Sequence, residues 1–302
     1  MVLYKYRGNS ANTDKIFSDK KVWLSNAAGL NDPFECTIQE IAKDWIDEQV
    51  KKLKTGHLSG LAFAFMMAKK SNRHFFGLSV EEGERLINKF KTLLDLDEKY
   101  DYYREFMKSR NGYYPTAQEA TFAGFDQQLN DVGIFSLSET SESQLMWSHY
   151  ADDTKGIAIG FEVEPNSKLS DNDHCVMVNY SDTLPAFTGE GFLNEVSFYM
   201  DENGMPYSKQ KISFSDPTFK LAISTKPTAW SYEREWRYIE EKTGAYLLPS
   251  KISEVVFGLR CSKDNKDRYK MLAKENLKNP LSFFEIQSIP NTNKIVKVKL
   301  AD

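Results

Sequence analysis

Residues 132–162 read VGIFSLSETSESQLMWSHYADDTKGIAIGFE. Apolar residues alternate along VGIFSL and again along GIAIGFE, the two-residue period of a β-strand. Between them, QLMWSHY places Met146, Trp147 and Tyr150 three and four residues apart, on one face of a short helix. The same period of two returns downstream. It predicts strands at 175–180 (CVMVNY), 236–240, 255–259, 283–289 and 295–300, with helices at 217–223 and 265–277. Strands outnumber helices after residue 132, and no strand–helix–strand unit recurs. The reading is therefore an α+β fold rather than a doubly wound parallel sheet. Upstream, VLYKY (2–6) and KVWLS (21–25) predict two short strands around a helical turn at 11–18. Asn31-Asp32-Pro33-Phe34-Glu35 reads as a turn anchored by Phe34.

Residues 37–130 change character. Trp45, Ile46, Val50 and Leu53 recur at helical spacing, as do Leu86, Ile87, Phe90, Leu93 and Leu94, and TAQEATFAGFDQQL (116–129) is helical by composition. The expected organisation is a single α+β domain over 1–302 with a helical insertion at 37–130. Its longest apolar run, residues 58–68, falls short of the roughly 20 residues that cross a bilayer and reads as a buried helix.

Composition excludes several classes. The chain has 302 residues, 41% hydrophobic and 13% aromatic, enough to fill a sizeable core, which argues against disorder. Its 39 basic and 43 acidic side chains leave a net charge of −4, and no basic stripe with interleaved aromatics stands out, which counts against a nucleic-acid surface. Net charge does not report on a local groove. Cys36, Cys175 and Cys261 are isolated, with no CxxC pair, so neither a disulfide framework nor a zinc site is expected; a reducing cytoplasm fits. The four histidines form no HxxxH pair, and no metal is expected. There is no GxGxxG, no phosphate-binding P-loop and no internal repeat.

Four clusters carry chemistry. On a strand, Tyr4 and Tyr6 share one face and Lys5 and Arg7 the other; this reads as an edge strand with aromatics inward and bases in water. Asn31 to Glu35 is a tight turn or a loop over a site. The third cluster joins Ser136 and Ser138 to Trp147, His149 and Tyr150, which are either core packing or a binding face. In the fourth, Trp230-Ser231-Tyr232-Glu233-Arg234-Glu235-Trp236-Arg237, Glu235 and Arg237 share a strand face. They form a structural ion pair, or a carboxylate and guanidinium serving a charged substrate.

Taken in order, Leu3–Arg7, Trp23–Glu35, Leu137–Glu162 and Trp230–Arg237 resemble the bacterial domain-of-unknown-function family 2971. At greater distance the order resembles that of ADP-ribosyltransferases, which implies a split, mostly antiparallel β-sheet core and NAD as co-substrate. By that resemblance Arg7 or Lys5 stands at the NAD-holding position of the first strand. Residues 136–150 stand at the second motif, and Glu235 stands at the catalytic glutamate. The usual first-strand His is absent, and Glu235 is followed by Trp-Arg rather than the typical flank. The implied roles are Glu235 for the oxocarbenium-like ribose, Arg7 and Arg237 for the pyrophosphate, Trp147 or Tyr150 stacked on nicotinamide, and His149 as a hydrogen-bonding or proton-relay group. Tyr4, Lys5, Tyr6, Asn31, Asp32, Pro33, Phe34, Ser138 and Glu233 complete the expected binding set. The resemblance also implies an unidentified macromolecular acceptor and a phage-defence, abortive-infection or toxin-type role; with no bilayer-length apolar run, no membrane partner is expected. Two other readings stay open: a non-catalytic nucleotide- or partner-binding module, and a metal-assisted hydrolase or nuclease using Asp32, Glu35, Glu162 and Glu235.

Overall fold

The computed structural model describes residues 1–32, 34–74, 78–111, 127–187, 194–200 and 206–301. The chain divides into two compact units. One comprises Met1–Gln39, Gln128–Gly191 and Phe214–Asp302; the other comprises Glu40–Gln127 and Phe192–Ser213.

In the first unit, β1 (Val2–Arg7) leads to α1 (Ala11–Ser18) and β2 (Lys21–Leu24). The Ser10 hydroxyl caps α1 by accepting the Thr13 N–H, and the helix buries Ile16 and Phe17. In the second unit, α2 (Lys43–Lys70), α3 (Val80–Thr92) and α4 (Leu96–Asn111) follow. Ser79 and Glu82 form a capping box at the start of α3. Leu58, Leu61, Phe65, Leu86, Tyr100 and Met107 form the core of these helices. The apolar run 58–68 is one stretch of the 28-residue α2. It is buried on one face only, because Phe63, Met66 and Met67 are exposed. Most of 116–129 lies outside the described residues, which resume in a helical stretch at 127–131.

The first unit continues with β3 (Gly133–Ser138), α5 (Gln144–Tyr150), β4 (Ile157–Glu162), β5 (Cys175–Met177) and β6 (Asn179–Tyr180). The second unit adds an antiparallel hairpin of β7 (Asn194–Met200) and β8 (Pro206–Ile212), which the alternation of its residues had not singled out. Back in the first unit come α6 (Pro217–Ser224), β9 (Thr225–Lys226), β10 (Glu235–Glu240), β11 (Gly244–Leu247), β12 (Ile252–Phe257), α7 (Lys263–Asn276), β13 (Ser282–Ser288) and β14 (Ile295–Lys299). Eight of these strands form one sheet, in the order β14-β13-β12-β4-β1-β3-β10-β5, antiparallel throughout except for β12 and β13. The fold is thus mixed α and β around a large, mostly antiparallel sheet.

The sheet is buried on both faces. Leu3, Phe135, Ile159 and Phe161 pack on one side with Phe17 and Tyr269. Tyr4, Tyr6, Ala158 and Val256 pack on the other with Met146 and Trp147. The alternation of Leu3 and Tyr4, and of Ala158 and Ile159, therefore distributes apolar side chains between two cores.

One seam of the sheet is unlike the rest. β1 pairs with β4 at six positions and β10 with β3 at six, but β1 and β3 share a single pair, Tyr4↔Ser138. Past that pair the strands part. The Lys5 ammonium reaches across and donates to the Ser136 carbonyl at 2.8 Å. Farther along, Ser25 takes over as the partner of Ile134, with backbone bonds of 3.0 and 2.7 Å. The opening is thus framed by β1, β3 and the segment after β2.

Candidate functional site

A cavity of about 220 Å³ occupies this opening. Lys5 and Arg7 of β1, Asn31 of the turn, Tyr150 at the end of α5, and Lys226, Glu233 and Glu235 line it. A wider groove of about 840 Å³ shares Lys5, Arg7, Trp23 and Tyr150 with it.

Its floor is a buried charge cluster. The Lys226 ammonium lies 2.7 Å from Glu233, 3.1 Å from Glu35 and 3.2 Å from Glu235. Its charge also sits 4.8 Å from the centre of the Trp230 ring. Arg237 donates through Nε to Glu235 at 3.1 Å, through one terminal nitrogen to Glu35 and Glu235, and through the other to the Ile223 carbonyl. All five side chains are under 6% exposed, and Arg237 is fully enclosed. Three carboxylates therefore share two cations.

The two glutamates of the Glu233-Arg234-Glu235 segment are pushed apart in acidity. Burial opposes the charge of Glu235, but Arg237 and Lys226 outweigh it and hold the carboxyl at about 2. At Glu233 burial prevails over Lys226 and raises the carboxyl above its ordinary range. Burial would discharge Lys226, yet the surrounding carboxylates win and push it upward. The Tyr150 hydroxyl donates to Glu233 at 2.5 Å and accepts from the Asn31 amide at 2.6 Å. Burial and the adjacent Glu233 raise the phenol. On β1, burial beside Arg7 lowers the Lys5 ammonium to about 7.

Local structure aims these groups. The turn of 3₁₀ helix over Thr228–Glu233 ends at Arg234, which adopts the left-handed conformation (φ 46°, ψ 54°) before β10 begins. A non-glycine residue there is uncommon and costs strain. Arg234 is held by Glu139 at 2.8 Å. The Ser138 hydroxyl donates to the Glu233 carbonyl at 2.6 Å, and the Glu235 N–H donates to the Tyr180 phenol at 2.8 Å.

Several sequence-derived roles change. Trp147 is 1% exposed, packs edge-to-face on Tyr6 and donates its indole N–H to the Ser141 carbonyl at 2.7 Å. It is core, so of the two rings expected to stack on a ligand only Tyr150 lines the cavity. Arg237 is a buried counter-ion and cannot clamp a pyrophosphate. His149 is exposed on α5 outside the cavity lining, with Tyr150 and Tyr232 as ring neighbours. Phe34 does not anchor its turn, being 66% exposed. The turn is held instead by Asp32, which is buried and accepts the Phe34 N–H at 3.0 Å. Pro33 lies outside the described residues. Lys5 and Arg7 are half-buried at the opening rather than in water. Tyr4 and Tyr6 line the cavity, with hydroxyls bonded to Lys297 and the Thr140 carbonyl, both at 2.8 Å. Glu162 bonds Lys251 at 3.1 Å and is not among the residues of this cluster, so the four proposed metal ligands do not converge. Among the described residues no group of three or more His, Cys, Asp or Glu is arranged to hold a metal ion.

Lys226 and Tyr180 were missed, and Glu35 was read only as a metal ligand. Lys226 stands in STKPTAW, where nothing in the local pattern marks a buried charge. WSYEREWR balances two acids with two bases, so it carried no signal that a distant cation completes the site.

No helix among the described residues is long and apolar enough to cross a membrane. No curated protein and no solved structure matches the chain. The third motif in large part, and all of the fourth, fall within the stretch that does match: residues 146–238 fit the model of the family described as protein of unknown function (DUF2971).

Proposed function

We propose that the cavity binds NAD and that the chain transfers ADP-ribose to an acceptor, in a split-sheet arrangement of the ADP-ribosyltransferase kind. The observation that carries this reading is the pairing, across the β1–β3 opening, of Lys5 and Arg7 with two buried glutamates of opposite acidity shift. Cleavage of the nicotinamide–ribose bond sends its electron pair to the pyridinium nitrogen and leaves positive charge on the ribose. Glu235, held ionised by Arg237 and Lys226, stabilises that charge. Glu233, raised and hydrogen-bonded to Tyr150, takes the proton that the acceptor loses as it attacks. Two carboxylates with divergent acidities divide such roles between them. Lys5 and Arg7 meet the pyrophosphate, and Tyr150 supplies a ring for the nicotinamide. The physiological setting proposed with this chemistry is a defence- or toxin-type effector.

Purified protein incubated with NAD should release nicotinamide. Glu235→Gln and Glu233→Gln should each lower that release by about a hundredfold, the usual effect of losing one transition-state contact. Absence of both NAD binding by calorimetry and nicotinamide release would end the transferase reading.

A further inference from the structure

We infer that the wider groove receives a single-stranded nucleic acid, and that such a strand is the acceptor. Its role as acceptor rests on the transferase reading; its binding does not. The groove is walled by β1, α1 and β2, with Lys5, Arg7, Lys15 and Lys21 set against one acid, Asp19. Among the described residues the side chains of Arg7, Lys15 and Lys21 have no hydrogen-bond or ion-pair partner, whereas the carboxylates of the cavity floor are paired. The uncompensated charge of this surface is therefore positive, on a chain whose net charge is −4.

The aromatic component is equally specific. β2 alternates buried Val22 and Leu24 with Trp23, which is 60% exposed and lines both groove and cavity. Strand register thus holds a large ring outward beside unpaired cations. From Tyr150, which also lines both, rings continue through His149, Tyr232 and Trp230 with centroids 6.2 to 6.3 Å apart. Unpaired cations for phosphates, with aromatic faces for bases, are the combination that binds single strands. A duplex keeps its base faces stacked and offers them to no side chain. A volume of about 840 Å³ lies near the upper end for small-molecule sites, as an extended ligand requires.

The test is fluorescence anisotropy of the full chain with labelled 12-nucleotide DNA and RNA strands, the matching duplexes, and labelled ADP. Single strands should bind more tightly than duplexes and ADP. Affinity should fall about 20-fold between 50 and 200 mM salt for roughly three phosphate contacts. The Lys15→Glu/Lys21→Glu double variant should weaken binding at least tenfold, and Trp23→Ala by about tenfold. Unaltered melting temperatures will show these exposed substitutions to be folded. No binding of either strand, equal binding of duplex, equal binding of ADP, or indifference to both variants would overturn the inference. Nicotinamide release and NAD binding are read separately, with and without oligonucleotide: strand binding with neither NAD binding nor release removes the transferase reading alone, and release without strand binding removes this inference alone.

Discussion

Arg237 shows how a buried charge is held in this site. Its guanidinium is enclosed, and its donors are taken up by Glu35, Glu235 and the Ile223 carbonyl. A planar five-donor group suits such a position, since a lysine cannot reproduce the fork. Arg237→Met would leave Glu35 and Glu235 with Lys226 alone. Loss of one partner from a buried ion pair costs about 3–5 kcal/mol, and urea unfolding should show a loss of that size. At this scale the sequence identified Glu233, Glu235 and Arg237 as a cluster but misread the exposure of Arg237 and Trp147. Adjacent residues in a motif do not state which of them a neighbouring element will cover. Trp147 lies next to exposed Ser148 and close to cavity-lining Tyr150, yet Tyr6 and the Ser141 carbonyl enclose it.

At the level of elements, β1 decides the site because it is paired fully on one side and barely on the other. Its pairing with β4 runs from Val2↔Glu162 to Arg7↔Ile157. Just beyond, a Cβ on Gly156 would stand 2.1 Å from the Arg7 carbonyl and 3.0 Å from that of Ala151. Only glycine permits this approach. Gly156→Ala must push β1 and β4 apart at Arg7, and overpacking of this kind costs about 1–3 kcal/mol. The melting temperature should fall. Anion affinity at Arg7 should fall with it, whereas Gly56→Ala, in the interior of α2 with open space at the Cβ position, should leave that affinity unchanged and raise the melting temperature slightly. Most strands of the large sheet, α5 and parts of α2 and α3 were legible from their periods, whereas α4, β9, β11 and the β7–β8 hairpin were not. The weak β1–β3 seam was not, since an alternating apolar strand reads the same whether one edge or both are paired.

The whole molecule senses the charge cluster through acid stability. Glu235 has an ordinary value of 4.5 and a folded value of about 2. Between those limits the unfolded chain binds more protons, so this contribution is complete above about 4.5 and is lost as pH falls toward 2. Glu233 has the opposite sign: raised in the folded chain, its contribution is complete below about 4.5 and declines as pH rises. Glu235→Gln should therefore be less stable than wild type at pH 7, by at most about 3 kcal/mol from this linkage. Urea midpoints should converge by about pH 2. A gap unchanged by acidification would show that Glu235 is not held ionised.

The sequence by itself determined the α+β class, most strands and helices, and the four motifs, because periodicity and turn chemistry are local. It also determined that paired carboxylates lie beside an arginine. The tertiary structure alone decided where the sheet opens, which depends on unpaired strand edges. It alone brought Lys226 and Glu35 to Glu233 and Glu235, which depends on burial between distant segments. It alone gathered Lys5, Arg7, Lys15 and Lys21 along one groove. A net charge of −4 averages such a surface away, whereas a ligand meets the local field.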